Sequence, residues 1–360
     1  MRIHRIGEAK IILSNPHSKH NYFAWPTIAK LQNGKIAVAA SGYRLAHVCP
    51  FGKTVMAISE DNGETYSAPM PIIDTILDDR DAGLCPFGKS GLILTSFNNT
   101  VNQQRDWAKG TSTEAYRNAY LDLIDPEEQK IYHGSTFRVS HDNGVTFGPI
   151  YHSPITSPHG PTELSDGAIL WVGRTRDFSD EDCIAAYLIN PETGEMTFQG
   201  KIPPAIAKPG FSCEPHAIEL PDGSILCHIR VQERSMGSGY QVFTVYQSVS
   251  QDKGKTWTTP QALLDPLGGS PPHLMRHSSG TLICSYAIRK PPYGIRMMFS
   301  KDNGKTWDVD HELLEKAPSP DLGYPATIEL PDHTLLTVYY GLLGEGKNAV
   351  IFQQKWELCE

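Results

Sequence analysis

A chain of 360 residues can hold one large closed β-fold or two ordinary domains, so internal repetition has to decide the domain count. The net charge of −8 is mild and the 32 basic residues are scattered, which argues against a nucleic-acid groove or a polybasic membrane anchor. Seven cysteines, odd in number, far apart and without a C-x-x-C pair, favour reduced thiols in a cytoplasmic protein over a disulfide framework or a zinc site.

The first stretch, Met1 to Ser14, carries Arg2, Arg5, Glu8 and Lys10 and has no apolar h-region, so it does not read as a secretory signal. No later stretch is long and apolar enough to span a bilayer. From Trp25 onward one unit recurs: a Pro- or His-containing group, a short alternating run, an x-D/N/S-G turn and a second apolar run. Six copies run from Trp25-Pro26 to Gly34, Asp81 to Gly91, His159 to Gly167, Glu214-Pro215 to Gly223, Pro272 to Gly280 and Tyr324-Pro325 to His333. Their second runs, such as LILTSF, SILCHIR and TLLTVYYG, have the composition and length of strands, so each copy is predicted to open on a β-hairpin.

A second motif, S-x-D-x-G-x-T-aromatic, follows four of the copies, at Ser59 to Tyr66, Ser140 to Phe147, Ser250 to Trp257 and Ser300 to Trp307. Its Asp can accept backbone N–H groups while its Gly takes a positive φ, and the aromatic packs beneath the turn. After copy three, Asn190 to Phe198 holds a degenerate substitute. Each unit then amounts to four strands in about 40 to 50 residues, the size of a propeller blade. The predicted fold is an all-β six-bladed propeller spanning residues 1–360 as one domain.

Between the hairpins of the second unit the chain makes a long excursion, 98–134, with a helical patch at Thr113 to Ile124. As a strand-two to strand-three connection it is predicted on the functional face, as a lid, a contact between copies in a homo-oligomer, or surface decoration. The pentapeptide Cys-Pro-Phe-Gly-Lys occurs at Cys49 to Lys53 and again at Cys85 to Lys89, and reads as buried structural thiols.

In an up-and-down blade the start of strand one and the end of strand two share a face, opposite both kinds of turn. On that face fall Phe23 to Trp25, Asp79, Arg80, Asp81, His159, Glu214, His216, His273 and Tyr324 from strand starts. Arg44, Arg174, Arg176, Arg230 and Arg289 come from strand ends, and Arg296 opens a third strand. One such arginine is a solvated loop charge; several around one axis suggest an anionic group met by planar, bidentate guanidinium forks, such as a sugar carboxylate. Asp79, Arg80 and Asp81 read equally as a local ion-pair cluster or as a set in which Asp79 raises the pKa of a catalytic Asp81. His and Asp spacings match no metal-ligand pattern, so no metal or cofactor is expected.

The four S-x-D-x-G-x-T turns resemble the Asp-boxes, or BNR repeats, of the sialidase (neuraminidase) superfamily, and with the six hairpins the resemblance covers nearly the whole chain. It implies an exo-glycosidase acting on a terminal acidic sugar with retention through a Tyr nucleophile. Glu214 in FSCEPHAIELPDG and Tyr324 in DLGYPATIELPDH match the family's base and nucleophile, and Arg230 a carboxylate-binding arginine. Arg289 and Arg296 both resemble the arginine contributed by the fifth blade. A neutral phenol suits attack beside a substrate carboxylate, provided a base draws off its proton. The sequence departs from the family where Ala24-Trp25-Pro26 replaces an Arg-Ile-Pro tripeptide and where the loop SGYRLAHVCPFGK lacks the acid/base Asp. Arg44 is the candidate replacement for the arginine, and Asp81 or His47 for the acid. The catalytic candidates are therefore Glu214, Tyr324 and Asp81. The substrate-binding candidates are Arg44, His47, Asp79, Arg80, Arg230, Arg289 and Arg296. Two other readings stay open: a hydrolase of another acidic or a neutral glycoside, and a non-catalytic propeller that binds a glycan or protein.

Overall fold

The computed structural model describes residues 1–175, 183–205, 210–234, 241–264, 269, 271–344 and 348–360. It is a six-bladed β-propeller, each blade an antiparallel sheet. Blade one runs from strand Tyr22–Lys30 through Ile36–Arg44 and Lys53–Ser59 to Met70–Ile73, and blades two, four and five repeat this order. In blade three the inner edge is split: Ile155–Thr156 and Thr162–Glu163 both pair with Ile169–Thr175. Blade six is closed by the N-terminus, because Arg2–Leu13 pairs antiparallel with Ala349–Cys359 as its outermost strand. This ring-closing role was not foreseen from the sequence of Met1 to Ser14.

The core has the same sixfold order. Six apolar clusters each lie between two neighbouring blades; one joins Phe23 and Val38 of blade one to Val338 and Tyr340 of blade six, and another joins Trp171 of blade three to Phe137 of blade two. Blade faces covered on both sides explain why second strands such as Leu335–Leu342 read as nearly continuous apolar runs.

The Asp-box turns fasten blades to one another. In blade one, Asp61 accepts the Thr65 amide at 2.9 Å and the Ser59 hydroxyl at 2.8 Å, while Gly63 sits at φ +80°. Asp142, Asp252 and Asp302 repeat these contacts with Thr146, Thr256 and Thr306. A Cβ on Gly63 would lie 2.8 Å from Leu336 of blade six, so the turn needs glycine both for its φ and for close packing. Tyr66 then donates to Gln353 of blade six at 2.7 Å, and Trp307 of blade five donates to Gln247 of blade four at 2.9 Å. Each of these two turns therefore staples its blade to the preceding one.

The excursion in blade two forms three short helices, α1 (Val101–Ala108), α2 (Glu114–Leu121) and α3 (Pro126–Tyr132). Only α2 lies in the predicted helical patch. The others start on signals that apolar periodicity does not reveal: Thr100 with Gln103 forms a capping box for α1, and Asp125 followed by Pro126 starts α3. The two Cys-Pro-Phe-Gly-Lys segments have different settings, since Cys49 lies in a loop entering a third strand and Cys85 in an inner strand; both thiols are buried.

Candidate functional site

Four blades present a side chain to the axis by the same backbone device. Trp25, Asp81, Glu214 and Tyr324 open the inner strands of blades one, two, four and six with φ of +55°, +49°, +47° and +52°. At each, the pairing with the second strand slips, between Ala24 and Thr27, Arg80 and Gly83, Cys213 and His216, and Gly323 and Ala326. A bulge with a non-glycine residue in the left-handed region costs roughly 1–2 kcal/mol, and such strain is characteristic of sites where a side chain must be re-aimed. Blades three and five carry Ser157 and Pro271 at the equivalent place, each followed by Pro-His as Glu214 is.

A cleft of about 480 Å³ opens over this layer and is lined by Arg80, Asp81, Arg174, Glu214 and Arg230 among others. Beside it the buried Tyr324 donates its hydroxyl to Oε1 of the cleft-lining Glu214 at 2.7 Å, across 110 residues of sequence. Arg230 Nη1 donates to Glu214 Oε2 at 2.5 Å and lies 3.5 Å from the Tyr324 oxygen, and Nη2 donates to Gln232 at 2.8 Å. Burial, then the negative charge of Glu214 and of Asp81, push the Tyr324 phenol well above its ordinary value, so it rests protonated. Burial pulls the Arg230 pKa down, but the charge of Glu214 outweighs it and the guanidinium is held firmly charged.

Arg289 stacks 5.7 Å from the Tyr324 ring and shares Phe243 with Arg230. Arg80 lies flat on the Trp25 ring at 4.0 Å, and Arg174 on Phe211 at 5.0 Å. Three guanidiniums, Arg80, Arg174 and Arg230, thus line the cleft with two carboxylates, Asp81 and Glu214, and leave it net positive, while Arg289 stands beside Tyr324.

Three expected ligand contacts are corrected by the structure. Arg44 is wholly buried, forked onto Asp78 at 2.5 and 3.0 Å, and faces the underside of Trp25 instead of the cleft. Asp79 is also enclosed: it accepts the Thr75 amide at 2.7 Å and hydroxyl at 3.0 Å, and burial raises its pKa to about 7. Arg296 points outward between the third and fourth strands of its blade, paired with Asp310 at 3.2 Å and Glu312 at 2.6 Å, and lines a separate surface hollow. Between the two fifth-blade arginines, therefore, Arg289 is the one beside Tyr324. His47 sits at the rim: Asp321 accepts from its Nδ1 at 3.0 Å, and the ring packs edge-on to Trp25 at 5.1 Å. Arg176 lies outside the described residues. His159, His216 and His273 stack together below the cleft with ring centroids 4.6–5.5 Å apart, and burial lowers all three pKa values. The Asp-box carboxylates take no part in the cleft lining.

Sequence reasoning missed Trp25 as the platform under Arg80, Asp78 as the partner of Arg44, Gln232 and Phe243 beside Arg230, and Asn99, Gln103 and Trp107 of the helical excursion, which line the cleft.

A family model described as BNR repeat-like domain matches residues 124–338. The chain belongs to the BNR repeat-like domain family. No curated protein matches the sequence. Among solved structures, this BNR-repeat chain superposes on a protein of unknown function from Dyadobacter fermentans with a TM-score of 0.77 at 19% identity, covering 99% of both chains. It superposes on the leech intramolecular trans-sialidase with a TM-score of 0.68 at 15% identity, covering 98% of this chain and 70% of that one. An α-L-arabinanase from Penicillium chrysogenum gives a TM-score of 0.60 at 15% identity, covering 96% and 97%. At these identities the likeness is one of fold: the sialidase-type six-bladed propeller.

Proposed function

We propose that the protein is a retaining exo-glycosidase acting on a terminal acidic sugar, such as a sialic acid or a related sugar acid, with Tyr324 as nucleophile. The observation that carries this reading is the 2.7 Å hydrogen bond from the Tyr324 hydroxyl to Glu214, a carboxylate that lines a cleft of net positive charge. A phenol held protonated does not ionise before the reaction. It attacks the anomeric carbon as its proton passes to the Glu214 carboxylate, while the glycosidic C–O bond breaks and the leaving oxygen takes a proton from Asp81, which has to take one up from solvent before this step. In the second step water attacks the aryl glycoside, Asp81 takes the water's proton, and Tyr324 leaves as the phenol with the proton returned by Glu214. Arg230, Arg289 and Arg80 would hold the sugar carboxylate; a neutral nucleophile avoids repulsion from that group.

A second reading, a neutral glycoside as substrate, is favoured by Ala24, which stands where the family's first carboxylate-binding arginine is expected and carries no charge. A screen of fluorogenic glycosides of sialic, deaminated sialic, other ulosonic, uronic and neutral sugars, run beside Glu214→Gln, separates the two. Turnover of an acidic glycoside that is lost in Glu214→Gln supports the proposal; turnover confined to neutral glycosides refutes it.

A further inference from the structure

We infer that the helical excursion of blade two builds a second sugar subsite, on the leaving-group side of the cleft, that binds a neutral pyranose through Trp107 and Phe211. Trp25, Trp171, Trp257 and Trp356 are buried, whereas Trp107 is 43% exposed and lines the same cleft as Glu214. Phe211, 39% exposed, lines it from blade four. Large aromatics left in water at a concave site, with polar groups between them, fit a ligand that has one apolar face and a rim of hydroxyls. Gln103 lies one helical turn before Trp107 and shares its face; with Asn99 it supplies uncharged amides, and Arg174 braces Phe211 at 5.0 Å. A pyranose has that chemistry: its C–H face stacks on an aromatic ring and its hydroxyls meet amides.

The platform is fixed in advance. Thr100 and Gln103 cap α1 reciprocally, and the Val101 amide donates to Gln129 of α3 at 2.7 Å. Gln104 donates at 2.9 Å to Asp78, the same buried carboxylate that holds Arg44. One residue thus ties the helix to the framework beneath Arg80, so little ordering cost remains when a sugar docks. The wall with Glu214 and Arg230, next to Tyr324, is left for the acidic sugar, and the amide-bearing wall beside α1 for the sugar it is joined to.

The assignment rests on the proposed glycosidase reading for its position but is tested independently of it. Lactose, cellobiose and maltose are titrated against the full chain, followed by tryptophan fluorescence and ligand-observed NMR. Saturable binding of at least one is expected, weakened about tenfold or more in Trp107→Ala and restored in Trp107→Phe. A tenfold change corresponds to ~1.4 kcal/mol, the scale of one aromatic contact. In parallel, the acidic sugar that proves to be a substrate is supplied as its disaccharide glycoside and as its glycosyl fluoride. Trp107→Ala is expected to raise KM for the glycoside about tenfold more than for the fluoride, which has no second ring. Absence of binding by all three disaccharides, or binding indifferent to Trp107→Ala, overturns the subsite. Loss of acidic-glycoside turnover in every assay, with disaccharide binding intact and dependent on Trp107, overturns the glycosidase reading and leaves the subsite standing.

Discussion

Replacing Glu214 with glutamine changes one atom's chemistry and separates the two tasks of this carboxylate. Glutamine can still accept the Tyr324 hydroxyl at 2.7 Å, so the phenol keeps its place. It cannot take the proton, and the loss of a general base lowers kcat by about 10²-fold or more. It also leaves Arg230, only 8% exposed, without the charge that faces it at 2.5 Å. A buried guanidinium without its counter-ion destabilises by about 1–3 kcal/mol where some water still reaches it, as it does here through the open cleft. The acidic sugar supplies a carboxylate in place of Glu214. Glu214→Gln is therefore expected to melt below the wild type when free, to bind the acidic monosaccharide more tightly, and to gain more in Tm from it. Single-turnover kinetics measure the first effect, and calorimetry with thermal melts the others. A variant that turns over within about threefold of wild type, or that binds the acid more weakly, would refute the reasoning.

Removing Arg44 by Arg44→Met strands the buried Asp78 carboxylate and should cost about 3–5 kcal/mol in urea unfolding; a loss below about 1 kcal/mol would show that the pair is not what anchors this wall. Arg289→Ala should raise KM for an acidic glycoside by about tenfold or more, whereas Arg296→Ala, which lies outside the cleft, should leave it within about twofold. Acid stability should fall in two stages. The three axial histidines have folded pKa values depressed by burial, His216 to about 4, so the unfolded chain binds protons first and stability declines as pH falls from 6.5 toward 4, by roughly 3 kcal/mol for His216 alone; Asp79, raised to about 7, acts in the opposite sense over this window, and the three histidines together outweigh it. The Asp-box carboxylates, held near 2 by threonine hydroxyls and amides, contribute stability above about pH 4 that is lost as pH falls through 2. A chemical-denaturation series from pH 8 to 3 checks the sign; stability that rises on acidification through 6.5 contradicts it.

The repeat was legible because a blade is a local object. Its hairpin turns need glycine at fixed places, its second strands are covered on both faces, and each Asp-box carries its own hydrogen-bond set within eight residues. Glu214 and Tyr324 were legible for a related reason: each opens an inner strand, and closure of the ring brings inner strands together. What the sequence hid is set by contacts between blades. Nothing local to Arg44 distinguishes a charge that faces a ligand from one enclosed by Asp78, 34 residues on. Arg289 and Arg296 stand seven residues apart, and only the pleat and the exit of the strand decide which faces the axis and which meets Glu312. Ala24-Trp25-Pro26 read only as a tripeptide that had lost its arginine; in the fold Trp25 is the surface on which Arg80 rests. The closing strand was obscured by its exposure, since Arg2–Leu13 is paired at the outer rim with few buried side chains and has no apolar run to mark it.

The central claim is that Tyr324 bears the sugar during turnover. A fluorinated analogue of the acidic sugar, built to form the covalent intermediate quickly and release it slowly, should inactivate the protein with one-to-one stoichiometry. Peptide mass spectrometry should then find the adduct on Tyr324, and Tyr324→Phe should take up no label. An adduct on Asp81 or Glu214 would contradict the account and assign the nucleophile to a carboxylate.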